Sequence, residues 1–429
     1  MNAQRKPSLL VLSSLYPNSV QPRHGIFVEE RLRKLIATEA VTARVVAPVP
    51  WFPFRNPRFG RYADFAAVPA REVRYGIEVL HPRYLVIPRV GMTLGPLSMA
   101  AAVAPLLRRL LAAGEQFDLI DAHYFYPDGV AGVRLGQRFQ LPVVVTARGT
   151  DINLISSLRM PRRQIVAAAR QAAALVTVSE ALREALLALG ADAKKTITLR
   201  NGVDLQRFAP IAQQEARAAL ACVPAPDQPV WLAVGHLVKG KGVHITLKAL
   251  SQALDVTLLV VGTGPEEQPL RDLAVDYSVA ERVHFLGHVE HDELPTYFSA
   301  ADALVLPTAS EGMPNVVLEA MACGTAVIAT AVGGIPEVVA DATAGVLMRE
   351  RSATALLDAW HAVQTQGLDE ARRNARRAYA ERFGWTETTR DQLQLFRQIL
   401  GEAHMPAVEA AAETHVAEPI VEPVNREGE

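Results

Sequence analysis

Short apolar runs alternate along this chain with longer stretches of helical pattern, and this alternation constrains the fold more than any other feature. In the first half the runs are Leu9 to Ser13, Val45 to Pro48, Leu119 to Ala122, Val143 to Thr146, Leu175 to Val178 and Ile197 to Leu199. In the second half they are Val230 to Val234, Thr257 to Val261, Val283 to Leu286, Ala303 to Pro307 and Ala326 to Ala329. Apolar residues predominate in these runs, and their hydrophobicity is continuous rather than alternating, which is typical of parallel strands covered on both faces. The pattern predicts an α/β protein with two doubly wound parallel sheets.

A polar, proline-containing stretch interrupts the alternation near the middle of the chain. Because 429 residues, half of them apolar, are enough for two full cores, we place a linker there. The predicted layout is a first domain over 1–208, a linker over 209–228, a second domain over 229–384, a helix over 385–400 that packs back toward the first domain, and a tail over 401–429. The tail has seven Glu against one Arg, with three Pro, so we expect it to be disordered.

Charge, cysteines and hydropathy restrict the protein's surroundings. A formal net charge of −1 disfavours a nucleic-acid partner bound through bulk charge. The two cysteines, Cys222 and Cys323, suggest neither a disulfide framework nor a thiolate metal site. The most apolar long window, Met92 to Leu107, contains Pro96 and Pro105 and is expected to fall short of a membrane-spanning helix. These features predict a cytoplasmic protein.

The segment from Ser310 to Gly324 is the most informative for function. It follows a predicted strand, and a loop that enters a helix at the carboxyl end of a parallel strand offers backbone N–H groups to a ligand. Glu311 would precede the helix and Glu319 would lie about two turns in, so both carboxylates can face one ligand. A pair of carboxylates suits the hydroxyls of a sugar and a ribose. The alternative is that Glu311 caps the helix and Glu319 is a solvated surface residue.

This segment resembles the motif of two glutamates separated by seven residues in the family 4 retaining glycosyltransferases, also called glycosyl transferases group 1. The resemblance continues in the family's order through Gly287 to Val289, Ala301 to Ala303 and Gly333 to Val338. It implies the GT-B fold, in which two Rossmann-like doubly wound domains face a central cleft. It also implies transfer of a sugar from a nucleotide diphosphate sugar, which is a co-substrate rather than a cofactor.

The resemblance further implies which residues form the site. Catalytic roles would belong to His123, Lys241 and Glu311, the lysine neutralising the donor diphosphate. Donor contacts would come from His236, Gly262, Gly264, Gly312, Met313, Asn315, Val316 and Glu319. His236 stands where similar enzymes have Arg, so this chain departs from the family in its phosphate-binding charge. Gly262 and Gly264 also have the simpler interpretation of a tight turn after a strand.

Residues of the first half are assigned to the acceptor side and the transferred sugar. His123 ends a predicted strand, where similar enzymes have a histidine near the transferred sugar, although a single histidine is more often structural. Gly25, Arg148 and Asp151 are expected near the acceptor. Asp151 could equally cap the helix that follows it.

The resemblance implies a retaining, metal-independent reaction. No Asp-x-Asp motif stands in a suitable loop, so basic residues and a helix N-terminus are expected to offset the leaving diphosphate. The acceptor hydroxyl would attack on the face from which the phosphate departs. A nucleotide-sugar epimerase of the same fold and a catalytically silent sugar-nucleotide-binding protein are the alternatives.

The acceptor is weakly encoded. Between Phe52 and Gly114 nine arginines stand against three acidic residues and are interleaved with aromatic residues. This composition is typical of a surface that meets anionic lipid headgroups, but an ordinary arginine-rich surface fits it equally well. The first interpretation predicts a glycan or lipid-linked acceptor at the inner face of the cell membrane, in cell-surface or exopolysaccharide biosynthesis.

Overall fold

The computed structural model describes residues 5–56, 58, 60–86, 91–223 and 228–401. The tail predicted to be disordered beyond residue 401 lies outside the described residues, as do residues 224–227 of the expected linker. The same holds for Phe59 and Arg89 of the arginine-rich segment.

The described strands form two large sheets and one short ribbon. The strands are β1 Ser8–Leu12, β2 Thr42–Val46, β3 Val49–Pro50, β4 Arg71–Arg74, β5 Ile77–Leu80, β6 Arg83–Tyr84, β7 Leu119–His123, β8 Val143–Ala147, β9 Ala174–Thr177, β10 Thr196–Thr198, β11 Val230–Val234, β12 Thr257–Val261, β13 Val283–Gly287, β14 Ala303–Leu306, β15 Ala326–Thr330 and β16 Gly345–Met348. The eight-stranded sheet has the order β10-β9-β8-β7-β1-β2-β5-β4, and the six-stranded sheet has the order β13-β12-β11-β14-β15-β16. Strands β3 and β6 form the ribbon.

Helices connect the parallel strands. They are α1 Ile26–Ala37, α2 Arg61–Ala67, α3 Gly91–Ala112, α4 Val130–Phe139, α5 Thr150–Asn153, α6 Arg159–Gln171, α7 Glu180–Ala188, α8 Gln213–Ala218, α9 Val243–Leu250, α10 Glu267–Asp276, α11 Leu294–Ala300, α12 Asn315–Ala322, α13 Ile335–Val338, α14 Ala353–Gln366, α15 Glu370–Ala380 and α16 Trp385–Leu400. A strand-helix-strand crossover between parallel neighbours is the unit of a doubly wound fold. The predicted fold class is therefore confirmed.

By internal contacts the chain divides into two compact units. The first unit comprises Met1–Thr146, Arg159–Leu175 and Thr389–Glu429, and the second unit comprises Ala147–Leu158 and Val176–Thr388. The domain boundaries expected from the sequence stay a prediction.

The six-stranded sheet lies within the second unit and is parallel at each neighbouring pair. Its central strand β11 is almost completely buried, and Trp231 packs edge to face on Trp360 of α14, with 5.7 Å between the ring centroids. Because the strands run the same way, their carboxyl ends share one edge of the sheet. The loops that leave β11, β12 and β14 at that edge contain, or lead into, the residues predicted to bind the donor.

The sequence prediction missed several strands. Strands β4 and β5 form an antiparallel hairpin, with Tyr75 and Gly76 both at positive φ in its turn. The charged residues of β4 hide its pattern, because this edge strand is largely solvent-facing. The short strands β3, β6 and β16 were also not predicted.

Helix α3 is continuous through both of its prolines, contrary to the expectation that they shorten it. Pro96 cannot donate the helical hydrogen bond to the Met92 carbonyl, and the Tyr126 hydroxyl donates to that oxygen instead. By length and composition Met92–Ala112 is able to cross a membrane, but the core helix of a soluble protein passes the same test. About a third of its most apolar window is buried in the chain.

Candidate active site

The loop after β14 is held by backbone-to-backbone contacts in which only glycine fits. A Cβ on Gly312 would lie 2.1 Å from the Arg148 carbonyl oxygen, and one on Gly333 would lie 2.0 Å from the Glu311 carbonyl oxygen. Gly333 also has φ +56°, and Gly334 donates its N–H to the Gly312 carbonyl at 2.9 Å. Main chain from the loops after β8, β14 and β15 therefore fixes the position of Glu311 and Gly312.

Lys241 and Glu311 form a direct ion pair. The Lys241 Nζ lies 2.6 Å from Glu311 Oε1, with the side chains 31% and 11% exposed. Gly242, which follows the lysine at φ +81°, brings its Cα so close that a Cβ would lie 2.0 Å from the Pro307 carbonyl oxygen. The two residues predicted to handle the diphosphate and the transferred sugar, 70 positions apart, are thus neighbours. A partly exposed ammonium beside a carboxylate can hold a phosphate and a sugar hydroxyl side by side.

Helix α12 begins later than the sequence suggested. Pro314 is its N-cap in an extended conformation, and Asn315 is the first helical residue. Glu319 is consequently the fifth residue, about one turn in rather than the predicted two, and it is 7% exposed. Met313 is buried, whereas Asn315 and Val316 are partly exposed at the start of the helix. The alternative that Glu319 is a solvated surface residue is wrong, because its side chain is buried.

The loops after β11 and β12 pack on each other through glycines. A Cβ on Gly262, at φ +133°, would lie 1.9 Å from the Gly235 carbonyl oxygen, and one on Gly264 would lie 2.3 Å from the Leu237 carbonyl oxygen. Both positions therefore require glycine because the two loops approach so closely, and a donor contact by either glycine stays a prediction.

His236 is exposed on the same pair of loops. Its Nδ1 lies 2.7 Å from the Thr263 carbonyl oxygen, which can only accept, so the proton is on Nδ1. A neutral His236 thus offers the lone pair of Nε2, and only a protonated ring offers an N–H to an anion.

Arg148 is linked by side-chain hydrogen bonds to the donor helix. Its Nη1 donates to Asn201 Oδ1 at 3.0 Å, and Asn201 Nδ2 donates to Asn315 Oδ1 at 2.9 Å. No sequence spacing points to this relay through Asn201. Asp151 is fully buried, and its carboxylate accepts N–H groups of Arg148, Gly149 and Ile152 at 2.7 to 3.2 Å. These bonds hold the loop, and an acceptor role for Arg148 or Asp151 stays a prediction.

Two further residues beside Glu319 were missed. His291 Nε2 lies 3.4 Å from Glu319 Oε1, and Arg207 Nη1 lies 3.0 Å from His291 Nδ1. His291 stands just after the Gly287 to Val289 segment that carries the resemblance, but neither residue belongs to a recognisable motif.

His123 ends strand β7 of the first unit, as predicted. It is 2% exposed, and its Nε2 lies 3.2 Å from Asp121 Oδ2 on the same strand. The same carboxylate oxygen accepts Gln392 Nε2 of α16 at 3.2 Å, while Gln392 Oε1 accepts Arg31 Nε at 2.7 Å. Burial lowers the pKa of the Arg31 guanidinium to about 10, and the charge of Asp121 opposes this shift.

Gly25 is the N-cap of α1 at φ +80°, and a Cβ there would lie 2.2 Å from the Leu15 carbonyl oxygen. The position therefore requires glycine whatever the acceptor. Within the described residues no group of three or more His, Cys, Asp or Glu could hold a metal ion.

Comparisons with known proteins identify the family of the chain. The family model "Glycosyl transferases group 1" matches residues 222–382, and "Glycosyltransferase Family 4" matches residues 62–207. A putative teichuronic acid biosynthesis glycosyltransferase of Bacillus subtilis is 30% identical over 333 residues, which are 75% of this chain and 80% of the relative. A D-inositol 3-phosphate glycosyltransferase of Paenarthrobacter aurescens is 30% identical over 319 residues, 70% of this chain and 77% of the relative.

Solved structures show the same fold. Sucrose-phosphate synthase from Thermosynechococcus elongatus superposes with a TM-score of 0.75 at 23% identity, covering 92% of this chain and 99% of that structure. HepE from Anabaena, solved in complex with UDP-glucose, gives a TM-score of 0.67 at 21% identity, covering 92% of this chain and all of that structure. The chain belongs to the group 1, family 4 glycosyltransferases of the GT-B fold, as its two mainly parallel sheets, the two family matches and these relatives show.

Proposed function

We propose that this glycosyltransferase moves a sugar from a nucleoside diphosphate sugar to an acceptor hydroxyl with retention of anomeric configuration. The observation that carries the proposal is the Lys241–Glu311 pair, 2.6 Å apart in a loop backed by glycine main chain. The sugar C1–phosphate oxygen bond breaks, and the acceptor oxygen bonds C1 on the same face. The acceptor proton passes to the leaving phosphate oxygen. Lys241 offsets the charge that develops on that oxygen.

The remaining roles are those that the family resemblance implies. Glu311 accepts hydroxyls of the transferred sugar, and Glu319 accepts those of the ribose, since an ionised carboxylate binds hydroxyl donors strongly. The start of α12 and the backbone of Gly312 receive the diphosphate, which a helix N-terminus stabilises. His123 bonds a hydroxyl of the transferred sugar. In this mechanism Lys241 and the N-terminus of α12 stabilise the charge of the leaving diphosphate, and no metal ion is required.

Four measurements test the reaction. A thermal-shift panel of UDP-, GDP- and ADP-sugars identifies the donor, and free nucleoside diphosphate is then measured with and without acceptor glycans. The configuration of the product is read by NMR, and activity is compared with and without EDTA. Inversion at C1, or loss of activity in EDTA that Mg²⁺ restores, would overturn the corresponding part of the proposal.

We further propose that the acceptor is a lipid-linked or growing glycan of cell-surface polysaccharide, met at the cytoplasmic face of the membrane. The support lies in the first unit, where exposed aromatic and aliphatic side chains stand among arginines. The exposed apolar residues are Trp51, Phe54, Tyr62, Leu85, Val86, Met92, Leu94 and Leu97. The Bacillus subtilis relative is named for teichuronic acid biosynthesis.

Liposome flotation tests this second proposal. The protein should float with vesicles that contain anionic lipid and stay in solution with neutral vesicles, and the bound fraction should fall as salt rises. A variant with Trp51 and Phe54 changed to Ser should bind less well, while Leu254→Ser, a change at an exposed leucine of the second unit, should not alter binding. Equal flotation with neutral and anionic vesicles would contradict the electrostatic part.

A further inference from the structure

A histidine contacts the buried carboxylate proposed to bind the ribose. His291 lies between β13 and α11, and its Nε2 is 3.4 Å from Glu319 Oε1. The two side chains are 20% and 9% exposed, so water reaches this contact poorly. A carboxylate in such a place is oriented mainly by its protein donors.

The hydrogen bonds of His291 determine which nitrogen carries its proton. Arg207 Nη1 lies 3.0 Å from His291 Nδ1, and a guanidinium can only donate. Nδ1 must therefore accept, and the proton of the neutral ring is on Nε2, directed at Glu319. The Arg207 guanidinium is in turn held by Asp292, with Nε 2.9 Å from Oδ1.

Packing fixes the imidazole ring as well. The ring of Phe208 stands edge to face against it, with 5.1 Å between the centroids and 69° between the planes. Phe208 is 1% exposed and packs in turn on Phe298 of α11, with 6.1 Å between the centroids. The ring of His291 thus has a set orientation as well as a set tautomer.

We propose that His291 is a positioning residue for donor binding: together with Arg207 it holds Oε1 of Glu319, so that the carboxylate is preorganised to accept the ribose hydroxyls. This inference rests on the proposed function, because it takes Glu319 as the ribose-binding group. It predicts that the enzyme recognises the ribose diol through Glu319, which is oriented by successive hydrogen bonds from Arg207 to His291 and from His291 to Glu319. Both ground state and transition state contain the bound ribose, so the effect falls on KM and not on kcat.

Two variants of similar size separate the contact of His291 with Arg207 from its contact with Glu319. In His291→Gln the side-chain amide reaches the place of Nε2 and can still donate to Glu319. In His291→Asn the shorter side chain can accept from Arg207 but no longer reaches Glu319. We expect His291→Asn to raise the donor KM about three- to tenfold, because it removes a long hydrogen bond to a charged group. In His291→Gln the donor KM should be close to that of the wild type. The kcat should stay within about twofold in both.

Calorimetry with free nucleotides gives a readout that general loss of structure would not produce. UDP, GDP and ADP are titrated into the wild type, and the one that binds is compared with its 2′,3′-dideoxy counterpart. His291→Asn should weaken binding of the ribonucleotide and leave the dideoxy analogue unchanged, because the analogue lacks the hydroxyls that Glu319 accepts. Equal weakening of both, or of neither, overturns the inference.

Glu319→Ala separates this inference from the proposed function. If Glu319→Ala abolishes the preference for the ribonucleotide while His291→Asn does not, Glu319 binds ribose and only the role of His291 is wrong. If Glu319→Ala leaves nucleotide binding unchanged, or the wild type binds none of the three nucleotides, the donor-site assignment fails and the inference fails with it.

Discussion

The loop around Glu311 and the end of strand β7 at His123 hold their proposed functional groups by different means. In the loop, main-chain atoms of Gly312, Gly333 and Gly334 meet other main chain at distances that exclude a Cβ. At the end of β7, side chains hold the functional group instead: Asp121 contacts His123 and accepts a hydrogen bond from Gln392 of α16. Each arrangement lies within one compact unit.

This difference determines which substitutions each region tolerates. A backbone-defined loop leaves the side chains of Lys241 and Glu311 available to a ligand, but a single added methyl group disturbs it. A position defined by side-chain hydrogen bonds can be altered from a distant residue in graded steps. Changes in the loop should therefore be severe at glycines and specific at side chains, whereas changes near His123 should be moderate.

Gly333→Ala should have the largest effect. The new Cβ would lie 2.0 Å from the Glu311 carbonyl oxygen, and the residue would have to keep φ +56°. Overpacking together with the left-handed conformation should lower the free energy of unfolding by about 2–5 kcal/mol. Urea denaturation followed by circular dichroism measures the change.

Gly240→Ala is the matched control, because a Cβ there meets no atom within 4 Å and φ is not in the left-handed region. Its unfolding midpoint should stay close to that of the wild type. A Gly333→Ala protein as stable as Gly240→Ala would show that the loop adapts, and the backbone description of this region would be wrong.

Lys241→Ala should come next in size and act on the ligand rather than on the fold. The lysine is 31% exposed, so its loss costs little stability, but the donor diphosphate loses a charge-assisted bond. The dissociation constant for the nucleoside diphosphate should rise roughly 10- to 100-fold, which corresponds to about 1.4–2.7 kcal/mol lost from a bond to a charged group. Isothermal titration calorimetry measures it, and Lys248→Ala on α9, an exposed lysine, should bind as the wild type does.

Much of the fold was predictable because a buried parallel strand has a recognisable local pattern of apolar residues. Val230–Val234 and Thr257–Val261 were predicted to the residue, since each is a continuous, mostly apolar run that ends at a glycine. The hairpin of Arg71–Arg74 with Ile77–Leu80 was missed, because its first strand is largely exposed and highly charged.

The candidate site was predictable to a different degree. The resemblance supplied Lys241 and Glu311, and the structure brings them into contact. No spacing could reveal that His291 touches Glu319, or that Asn201 joins Arg148 to Asn315, because these contacts exist only after distant loops have packed. The start of α12 was placed too early, just after Glu311, whereas Pro314 is the N-cap of the helix.

Gln392→Leu should have a moderate effect and tests the side-chain-defined region. It leaves the buried Arg31 Nε and Asp121 Oδ2 each without the partner that Gln392 provides, at 2.7 and 3.2 Å. The free energy of unfolding should fall by about 1–2 kcal/mol, and kcat should fall a few-fold because His123 is less firmly oriented. Gln394→Leu, an exposed glutamine on the same helix, should leave both values unchanged. A Gln392→Leu enzyme with unaltered kcat would show that Asp121 orients His123 unaided.

His236→Arg should give the smallest effect, and it is a gain. The wild-type ring has its proton on Nδ1, directed at the Thr263 carbonyl at 2.7 Å, so a neutral His236 turns a lone pair to any phosphate beside it. An arginine adds a permanent charge and further donors, which should tighten nucleoside diphosphate binding about three- to tenfold at low salt. The gain should shrink as salt rises, since the site is exposed, and neutral His236→Gln should show none. If His236→Arg binds no more tightly than His236→Gln, the diphosphate lies away from this loop, and Lys241 with the start of α12 must hold it.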